Sequence, residues 1–268
     1  MTTSALPVHI GVFDSGLGGL SVLRALRHSL PAAQLSYLAD SGHAPYGERD
    51  AVFVSERTAR AAAFLREQGA QLLVIACNTA TAAAVAGLRQ AMPDWPIVGL
   101  EPGLKPALAL TRRGSVGVMA TQGTLCSPRF VTLKNRLAAA APQVRIHLQA
   151  CVGLARAIEQ HSLHSAEVGE CIERHAAPLR AAGCDVVVLG CTHYPLVAGR
   201  IQAALGQDVQ LVDTADAVAR RTVALATALP ALQQAPGCTL WSTGDPAKLQ
   251  AAAERWAGVV ATAGQAPV

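Results

Sequence analysis

The sequence predicts an α/β protein made of two pseudo-symmetric lobes, each a mainly parallel sheet flanked by helices. Short apolar runs alternate with helical patterns, as in sheets built from strand–helix units. The order of these runs repeats once along the chain. A length of 268 residues is sufficient for two modest domains.

The predicted strands are short apolar segments that end at polar or glycine-rich turns. They lie at His9–Phe13, Leu35–Ala39, Gln71–Ala76, Ile97–Leu100, Ser115–Met119, Val144–Leu148, Asp185–Gly190, Val209–Val212 and Cys238–Ser242. Helical patterns follow most of them, at Leu20–Leu30, Ala51–Gln68, Thr81–Ala91, Ala155–His161 and Glu167–Ala182.

The two halves of the chain resemble each other at the ends of their strands. The matched pairs are Ser15 with Thr121, Asp40 with Ala150, Cys77 with Cys191 and Glu101 with Asp213, at offsets between 106 and 114. Offsets this similar predict two homologous lobes. We expect lobe one to hold residues 1–100 and 213–268, lobe two to hold residues 101–212, and the active site to lie in the cleft between them.

Composition excludes several classes of function. The net charge is only +4, and the basic residues are scattered, which argues against a nucleic-acid-binding protein. The charge-free stretches Gln68–Leu88 and Thr222–Gly244 contain polar residues or prolines that do not suit a membrane span. The amino-terminal residues do not have the pattern of a secretory signal, so we expect a cytoplasmic protein.

Seven cysteines, an odd number, favour free thiols in a reducing compartment. No C-x-x-C pair occurs, and we predict no metal site. Five of the cysteines are interpreted as small buried hydrophobic residues: Cys126, Cys151, Cys171, Cys184 and Cys238.

Cys77 and Cys191 differ from the other five because each ends a predicted strand and begins a polar cluster. Ligands of open α/β sheets bind beyond the carboxyl ends of the strands. A thiol with a pKa near 8.5 is present both as thiol and as thiolate near neutral pH. One thiol on each side of a substrate carbon can therefore remove a proton from one face and return a proton to the other. The pattern predicts a two-base isomerase.

Three further polar segments accompany the thiols. Asp14-Ser15-Gly16-Leu17-Gly18-Gly19 is a strand-to-helix turn without dinucleotide spacing, in which Ser15 could bind an anionic ligand and Asp14 could tune a thiol or cap a helix. In the loop after the second strand, Tyr46 and the Gly47 amide could donate to a carboxylate. His193 follows Cys191 by two residues and could shuttle its proton or stabilise its thiolate.

These residues resemble the glutamate racemases of the aspartate/glutamate racemase superfamily. The matching segments are GVFDSGLGGLSVL (11–23), ADSGHAPYG (39–47), VIACNTATA (74–82), LEPGLKPA (100–107), VVVLGCTHYPL (186–196) and VDTADAVA (212–219). The resemblance implies two α/β lobes, no cofactor, a homodimer, and conversion of L- to D-glutamate for peptidoglycan synthesis.

The resemblance also implies roles for individual residues. Cys77 and Cys191 would be the catalytic thiols, assisted by Asp14, His193 and Glu159. Substrate contacts would come from Asp14, Ser15, Tyr46, Gly47, Asn78, Thr79, Thr124, Thr192 and His193. The chain departs from the family near Glu159, because Cys151-Val152 stands where Cys-Pro is usual and Arg156 replaces a second proline.

Three alternatives remain open from the sequence. A sister enzyme such as an aspartate racemase would share the fold and both thiols. A binding protein that acts on a macromolecule, such as an inhibitor of DNA gyrase, would not need either thiol. A pyridoxal-phosphate racemase would need a Schiff-base lysine, for which only Lys105 is plausibly placed.

Overall fold

A computed structural model of the chain describes residues 7–233 and 235–268. These residues divide into two compact units. The first holds the described residues through Tyr46, together with Asp50–Leu100 and Ala215–Val268. The second holds Gly47–Arg49 and Glu101–Thr214.

The first unit is built on one sheet whose described strands all pair in parallel. Its strands are β1 (His9–Asp14), β2 (Gln34–Ala39), β3 (Leu72–Ile75), β4 (Ile97–Gly99), β9 (Gly237–Ser242) and β10 (Ala263–Gln265), in the spatial order β10-β9-β2-β1-β3-β4. Its helices are α1 (Leu20–Ser29), α2 (Ala51–Glu67), α3 (Asn78–Ala91), α10 (Ala215–Ala226) and α11 (Pro246–Ala257). Every side chain of β1 is buried, as expected for a central strand that is covered on both faces.

The second unit repeats this architecture on a smaller scale. Its strands are β5 (Ser115–Ala120), β6 (Arg145–Ala150), β7 (Val186–Gly190) and β8 (Gln210–Val212), in the order β6-β5-β7-β8. Its helices are α4 (Leu104–Leu110), α5 (Gln122–Cys126), α6 (Pro128–Ala140), α7 (Leu154–Gln160), α8 (Ala166–Ala181) and α9 (Ala198–Leu205). The edge strand β6 is only partly buried, whereas β5 and β7 are buried throughout.

The predicted repeat is present in the strand order, because β2-β1-β3-β4 of the first unit corresponds to β6-β5-β7-β8 of the second. Strand register, however, corrects two of the predicted residue matches. Ala39 ends β2 opposite Asp14, and Ala150 ends β6 opposite Ala120, so Asp40 corresponds to Cys151 and not to Ala150. Registers of β4 and β8 likewise match Val98 with Val212, so that Asp213 corresponds to Gly99 and not to Glu101.

Strand β10 was not predicted because Ala263-Gly264-Gln265 has no apolar run. It forms because Gly264 lets the chain lie against the indole ring of Trp241, to which a Cβ at this position would approach within 2.8 Å. The interpretation of Cys126 as buried was wrong, since this residue ends α5 on the exposed surface. In the part of the chain that the structure describes, no helix combines the length and apolarity needed to cross a membrane.

Candidate active site

The candidate active-site residues lie at the carboxyl ends of adjacent strands in each sheet. In the first unit, β1 and β3 are neighbours, so Asp14 and Ser15 are close to Cys77, which follows β3. In the second unit, Cys191 directly follows β7. Side chains at this edge of a parallel sheet converge on the space where ligands of such sheets bind.

Cys77 is buried and is the N-cap residue of α3. Its Sγ accepts a hydrogen bond from the Ala80 amide at 3.4 Å. This position directs the partial positive charge of the helix N-terminus toward the sulfur, which stabilises a thiolate. Local sequence favours the arrangement, because the extended residue Cys77 is followed by an Ala- and Thr-rich segment that continues as helix.

Ser15 connects Cys77 to Asp14. The Ser15 hydroxyl lies 3.3 Å from the Cys77 Sγ and 3.2 Å from the Asp14 Oδ1. With its single proton the hydroxyl can donate to Asp14 and accept from a Cys77 thiol, or donate to a Cys77 thiolate. It can therefore adjust to either protonation state of the thiol without moving.

Asp14 is held by its own turn and does not cap the helix that follows. Its Oδ1 accepts from the Gly16 amide at 2.8 Å, whereas the N-cap of α1 is Gly19, which makes no side-chain cap bond. Gly19 is required because a Cβ there would lie 2.6 Å from Asp14 itself. The close approach at Gly19 therefore serves the protein's own carboxylate and not a ligand.

Tyr46 is fully buried, and its hydroxyl donates to a carboxylate of the same unit, Asp40. Burial, the Asp40 charge and the nearby Cys77 together raise the pKa of Tyr46 far above its usual value. Its proton is therefore engaged with Asp40.

Asp40 is completely buried and was not among the predicted site residues. Arg57 Nε and Nη2 donate to its two oxygens at 2.9 and 2.7 Å, and Thr243 Oγ1 donates at 2.7 Å. Burial alone would raise the pKa of Asp40, but the hydrogen bonds from Arg57, Tyr46 and Thr243 hold it below its usual range. The only sequence signal was its position after β2, one strand away from Asp14.

Asn78 and Thr79 form the first turn of α3, and both are buried. The Oδ1 atom of Asn78 is a buried acceptor without a hydrogen-bond partner among the described residues. A buried acceptor left unpaired costs about 1–3 kcal/mol, so such an atom at a strand-end site indicates a place for a ligand donor.

In the second unit, Cys191, His193 and Glu159 form a connected row. The Cys191 Sγ lies 3.6 Å from the His193 Nδ1, and the His193 Nε2 lies 2.6 Å from the Glu159 Oε1. Glu159 lies on α7. Although the chain departs from the family pattern nearby, at Val152 and Arg156, Glu159 contacts the imidazole. The row has the order of nucleophile, base and orienting carboxylate that is known from other thiol enzymes.

The environment of His193 favours its charged form. Burial by itself disfavours the imidazolium, but hydrogen bonds and charges from Cys191 and Glu159 outweigh burial and raise the pKa of His193 well above its usual value. An imidazolium at this position places a positive charge 3.6 Å from the Cys191 sulfur.

The remaining predicted site residues of the second unit lie near the ends of its strands. Thr192 is buried directly after Cys191. Thr124 is buried at the start of α5, where its hydroxyl accepts from Thr121 Oγ1 at 2.9 Å. Gly47 lies against Thr121, and a Cβ at this position would approach the Thr121 Cβ to 2.7 Å. The geometry thus connects Gly47 with Thr121, the residue that corresponds to Ser15.

Among the described residues, no group of three or more His, Cys, Asp or Glu side chains has an arrangement that could hold a metal ion.

Comparison with known proteins places this site in a family. Residues 10–222 match the model of the Asp/Glu/Hydantoin racemase family. A glutamate racemase of Ectopseudomonas mendocina is 48% identical over 253 residues, which is 94% of each chain. Among solved structures, a glutamate racemase of Bacillus anthracis superposes with a TM-score of 0.86 at 31% identity, covering 97% of this chain and 98% of that one.

A second solved relative is the Escherichia coli glutamate racemase in complex with L-glutamate and the activator UDP-MurNAc-ala. It superposes with a TM-score of 0.85 at 30% identity and covers 97% of this chain and 98% of its own. Its sheets and helices match both units described above. The fold, the two strand-end thiols and these relatives show that the chain belongs to the Asp/Glu/Hydantoin racemase family, together with the glutamate racemases.

Proposed function

We propose that this chain interconverts L- and D-glutamate without a cofactor, using Cys77 and Cys191 as an acid/base pair. The single observation that carries the mechanism is the equivalence of the two thiols. Cys77 lies two residues after β3 and Cys191 directly after β7, and the register of these third strands is the same in both units, so the two thiols correspond. Because the repeat gives the two thiols corresponding positions, one thiol can exchange a proton with each face of one α-carbon.

The reaction consists of two proton transfers. One thiolate removes the α-proton from one face of glutamate, and the electron pair of the broken C–H bond remains on the α-carbon. The opposite thiol then gives its proton to the other face and becomes the thiolate. Because the reverse reaction exchanges the two roles, each cysteine is the base for one enantiomer and the acid for the other.

The neighbours of each thiol support these roles. At Cys191, the His193 imidazolium, held by Glu159, stabilises the thiolate and can exchange a proton with it. At Cys77, the Ser15 hydroxyl and the N-terminus of α3 provide hydrogen bonds to the ionised sulfur. Asp14 acts through Ser15, to which it is hydrogen-bonded.

The substrate contacts are assigned to polar groups at the strand ends of the two units. The free Oδ1 of Asn78 accepts from the ammonium group of glutamate. The main-chain amides of Ser15 and Gly47, together with polar groups of Thr79, Thr124 and Thr192, are assigned to the carboxylates. The proton of Tyr46 is engaged with Asp40, so this tyrosine contributes to the site through the position of its ring and the adjoining Gly47.

Racemisation of L-glutamate and of L-aspartate by the purified protein tests the substrate. We expect turnover of glutamate and little turnover of aspartate; turnover of aspartate but not of glutamate would overturn the assignment. Cys77→Ser and Cys191→Ser are each expected to abolish racemisation, and full activity in either variant would refute the thiol mechanism. Cys171→Ser, a buried thiol outside the site, is the matched control.

We further infer that the D-glutamate supplies peptidoglycan synthesis, that the enzyme is cytoplasmic and that it is a homodimer. These inferences rest on the family to which the chain belongs. Depletion of the protein in its host is expected to weaken the cell wall, and added D-glutamate is expected to restore it. Sedimentation of the purified protein measures the oligomeric state.

A further inference from the structure

The buried ion pair between Asp40 and Arg57 is not used in the mechanism above. Asp40 has no exposed surface, and the side chain of Arg57 is only 7% exposed. Burying two charges costs several kcal/mol per ion before their attraction is counted, so an ion pair is a poor way simply to fill a core. Its position near a catalytic strand end suggests a further role.

The pair and Cys77 belong to the same edge of one sheet. Asp40 follows β2 and Cys77 follows β3, on either side of β1 in the same sheet. Two strand spacings of about 4.8 Å separate such positions by about 10 Å. Tyr46 is near both groups, because its hydroxyl donates to Asp40 and Cys77 is close enough to contribute to the raised pKa of Tyr46.

The charge on Asp40 would act on the thiol if it were not compensated. A unit charge about 10 Å away at an effective dielectric constant of about 20 shifts a titration midpoint by about one pH unit. Arg57 cancels most of this field through two hydrogen bonds to the carboxylate. The charged or titratable side chains facing this region are Asp14 of β1, Asp40, His43 and Tyr46 of the following loop, and Arg57 of α2.

We propose that Arg57 is a positioning residue that neutralises Asp40, so that Asp40 can anchor Tyr46 beside Cys77 without opposing ionisation of the thiol. Asp40 supplies the fixed acceptor for the Tyr46 hydroxyl, and Arg57 removes the electrostatic cost of that acceptor. The role of the ion pair in catalysis rests on the proposed function of Cys77. The electrostatic effect of the ion pair on the Cys77 thiol is independent of that function.

Alkylation of Cys77 by iodoacetamide tests the proposal. The rate is measured as a function of pH by mass spectrometry of the Cys77 peptide, in the full-length protein. Asp40→Asn leaves the Arg57 charge, so we expect the midpoint of the rate profile to fall by up to about one pH unit. Arg57→Gln leaves the Asp40 charge and is expected to raise it.

The double variant Asp40→Asn/Arg57→Gln removes both charges and is expected to return the midpoint close to that of the wild type. Opposite shifts that cancel do not arise from general loss of structure. Thr243→Val removes one hydrogen bond to Asp40 without a change in charge, and we expect it to leave the midpoint in place. Thermal melts establish that each variant is folded. If Arg57→Gln does not fold, Arg57→Lys, which keeps the charge, replaces it. The midpoint of Arg57→Lys is expected to stay near that of the wild type.

The proposal is overturned if Asp40→Asn does not lower the midpoint, or if the double variant does not restore it. Because alkylation reports on the thiol directly, this outcome is separate from a failure of the racemase assignment. Racemase activity in Cys77→Ser would refute the catalytic role of Cys77 and leave the alkylation result standing.

Discussion

Cys77 and Cys191 occupy matched positions but have different neighbours. Cys77 lies beside the hydroxyl of Ser15, whereas Cys191 lies beside the imidazole of His193. In the proposed mechanism the repeat supplies one thiol from each unit, and the side chains beside the two thiols differ. We expect the two directions of the reaction to respond differently to substitutions in each unit.

Glu159→Gln tests the row on the Cys191 side. The carboxylate holds His193 in its charged form, so its loss lowers the pKa of the imidazole and weakens support for the thiolate. General acid–base catalysis contributes about 10²–10⁴-fold, and Glu159 acts through His193, so we expect kcat to fall by roughly ten- to a hundredfold. Steady-state kinetics in both directions measure this change.

Glu173→Gln is the matched control, because Glu173 is an exposed carboxylate paired with Arg180 in the same unit. It should leave kcat unchanged, as exposed ion pairs contribute little. Wild-type kinetics in the Glu159 variant would contradict the role assigned to this carboxylate.

The pH dependence of stability tests the environment of Asp40. Its pKa is lowered in the folded protein, so the stability it contributes is complete above the unfolded value of about 4 and is lost as pH falls through the folded value. At neutral pH, Asp40→Asn leaves the buried Arg57 without its carboxylate partner, although its Nη2 still donates to the Val268 carbonyl at 2.9 Å, and we expect a loss of about 3–5 kcal/mol in the free energy of unfolding.

The difference in unfolding free energy between wild type and Asp40→Asn should shrink as the pH falls below about 4, because the wild-type carboxyl then becomes neutral too. Urea denaturation at a series of pH values measures this difference. A difference that stays constant into the acid range would show that the charge of Asp40 is not what stabilises the fold.

Thr81 of helix α3 is hydrogen-bonded to the ends of two strands of the sheet. Thr81 Oγ1 donates to the Ile75 carbonyl at 3.2 Å and accepts from the Leu100 amide at 3.0 Å, so it joins the ends of β3 and β4. Because α3 begins immediately after Cys77, this contact also fixes the first turn of the helix beneath the thiol.

Thr81→Val keeps the shape of the side chain and removes both hydrogen bonds. It leaves a buried amide and a carbonyl without this partner, and we expect a loss of about 1–3 kcal/mol in the free energy of unfolding. Thr227→Val, at an exposed position near the end of α10, is the control and should change stability by less than about 0.5 kcal/mol. Equal effects at the two positions would refute the proposed clamp.

Elements with a strong apolar signal were predictable, and those that depend on tertiary contacts were not. The central strands were located to within a residue or two because continuous apolar runs mark buried parallel strands. Strand β10 has no such run and forms by packing against Trp241. The match of Asp40 with Ala150 was wrong by one residue, since a sequence offset does not define the register of neighbouring strands.

The site residues likewise divide into those that the local sequence predicts and those that only the fold brings together. Cys77, Cys191 and the residues next to them in sequence could be identified because strand-end polar clusters are visible in the chain. The network around Asp40 was missed because Arg57 and Thr243 come from distant segments that only the fold brings together. A role for Glu159 was implied only by resemblance, and its contact with His193 became visible only in the structure.

For the whole molecule, the repeated strand order supplies one strand-end thiol in each unit, as the proposed two-base reaction requires. If both thiols take part in the reaction, substrate binding should protect both strand-end loops from solvent. We expect D-glutamate to slow amide hydrogen exchange in residues 14–19, 77–81 and 191–194. Protection limited to one of the two cysteine loops, or none at all, would contradict the participation of both loops.

Isotope exchange during the reaction is the most direct test of the two-thiol mechanism. In deuterated water, wild-type enzyme supplied with L-glutamate should form D-glutamate that carries one deuterium at the α-carbon, while L-glutamate recovered early in the reaction remains unlabelled. The Cys77→Ser and Cys191→Ser variants should each lose racemisation by at least about a hundredfold. Product without deuterium, early label in the recovered substrate, or full activity in either variant would contradict the mechanism.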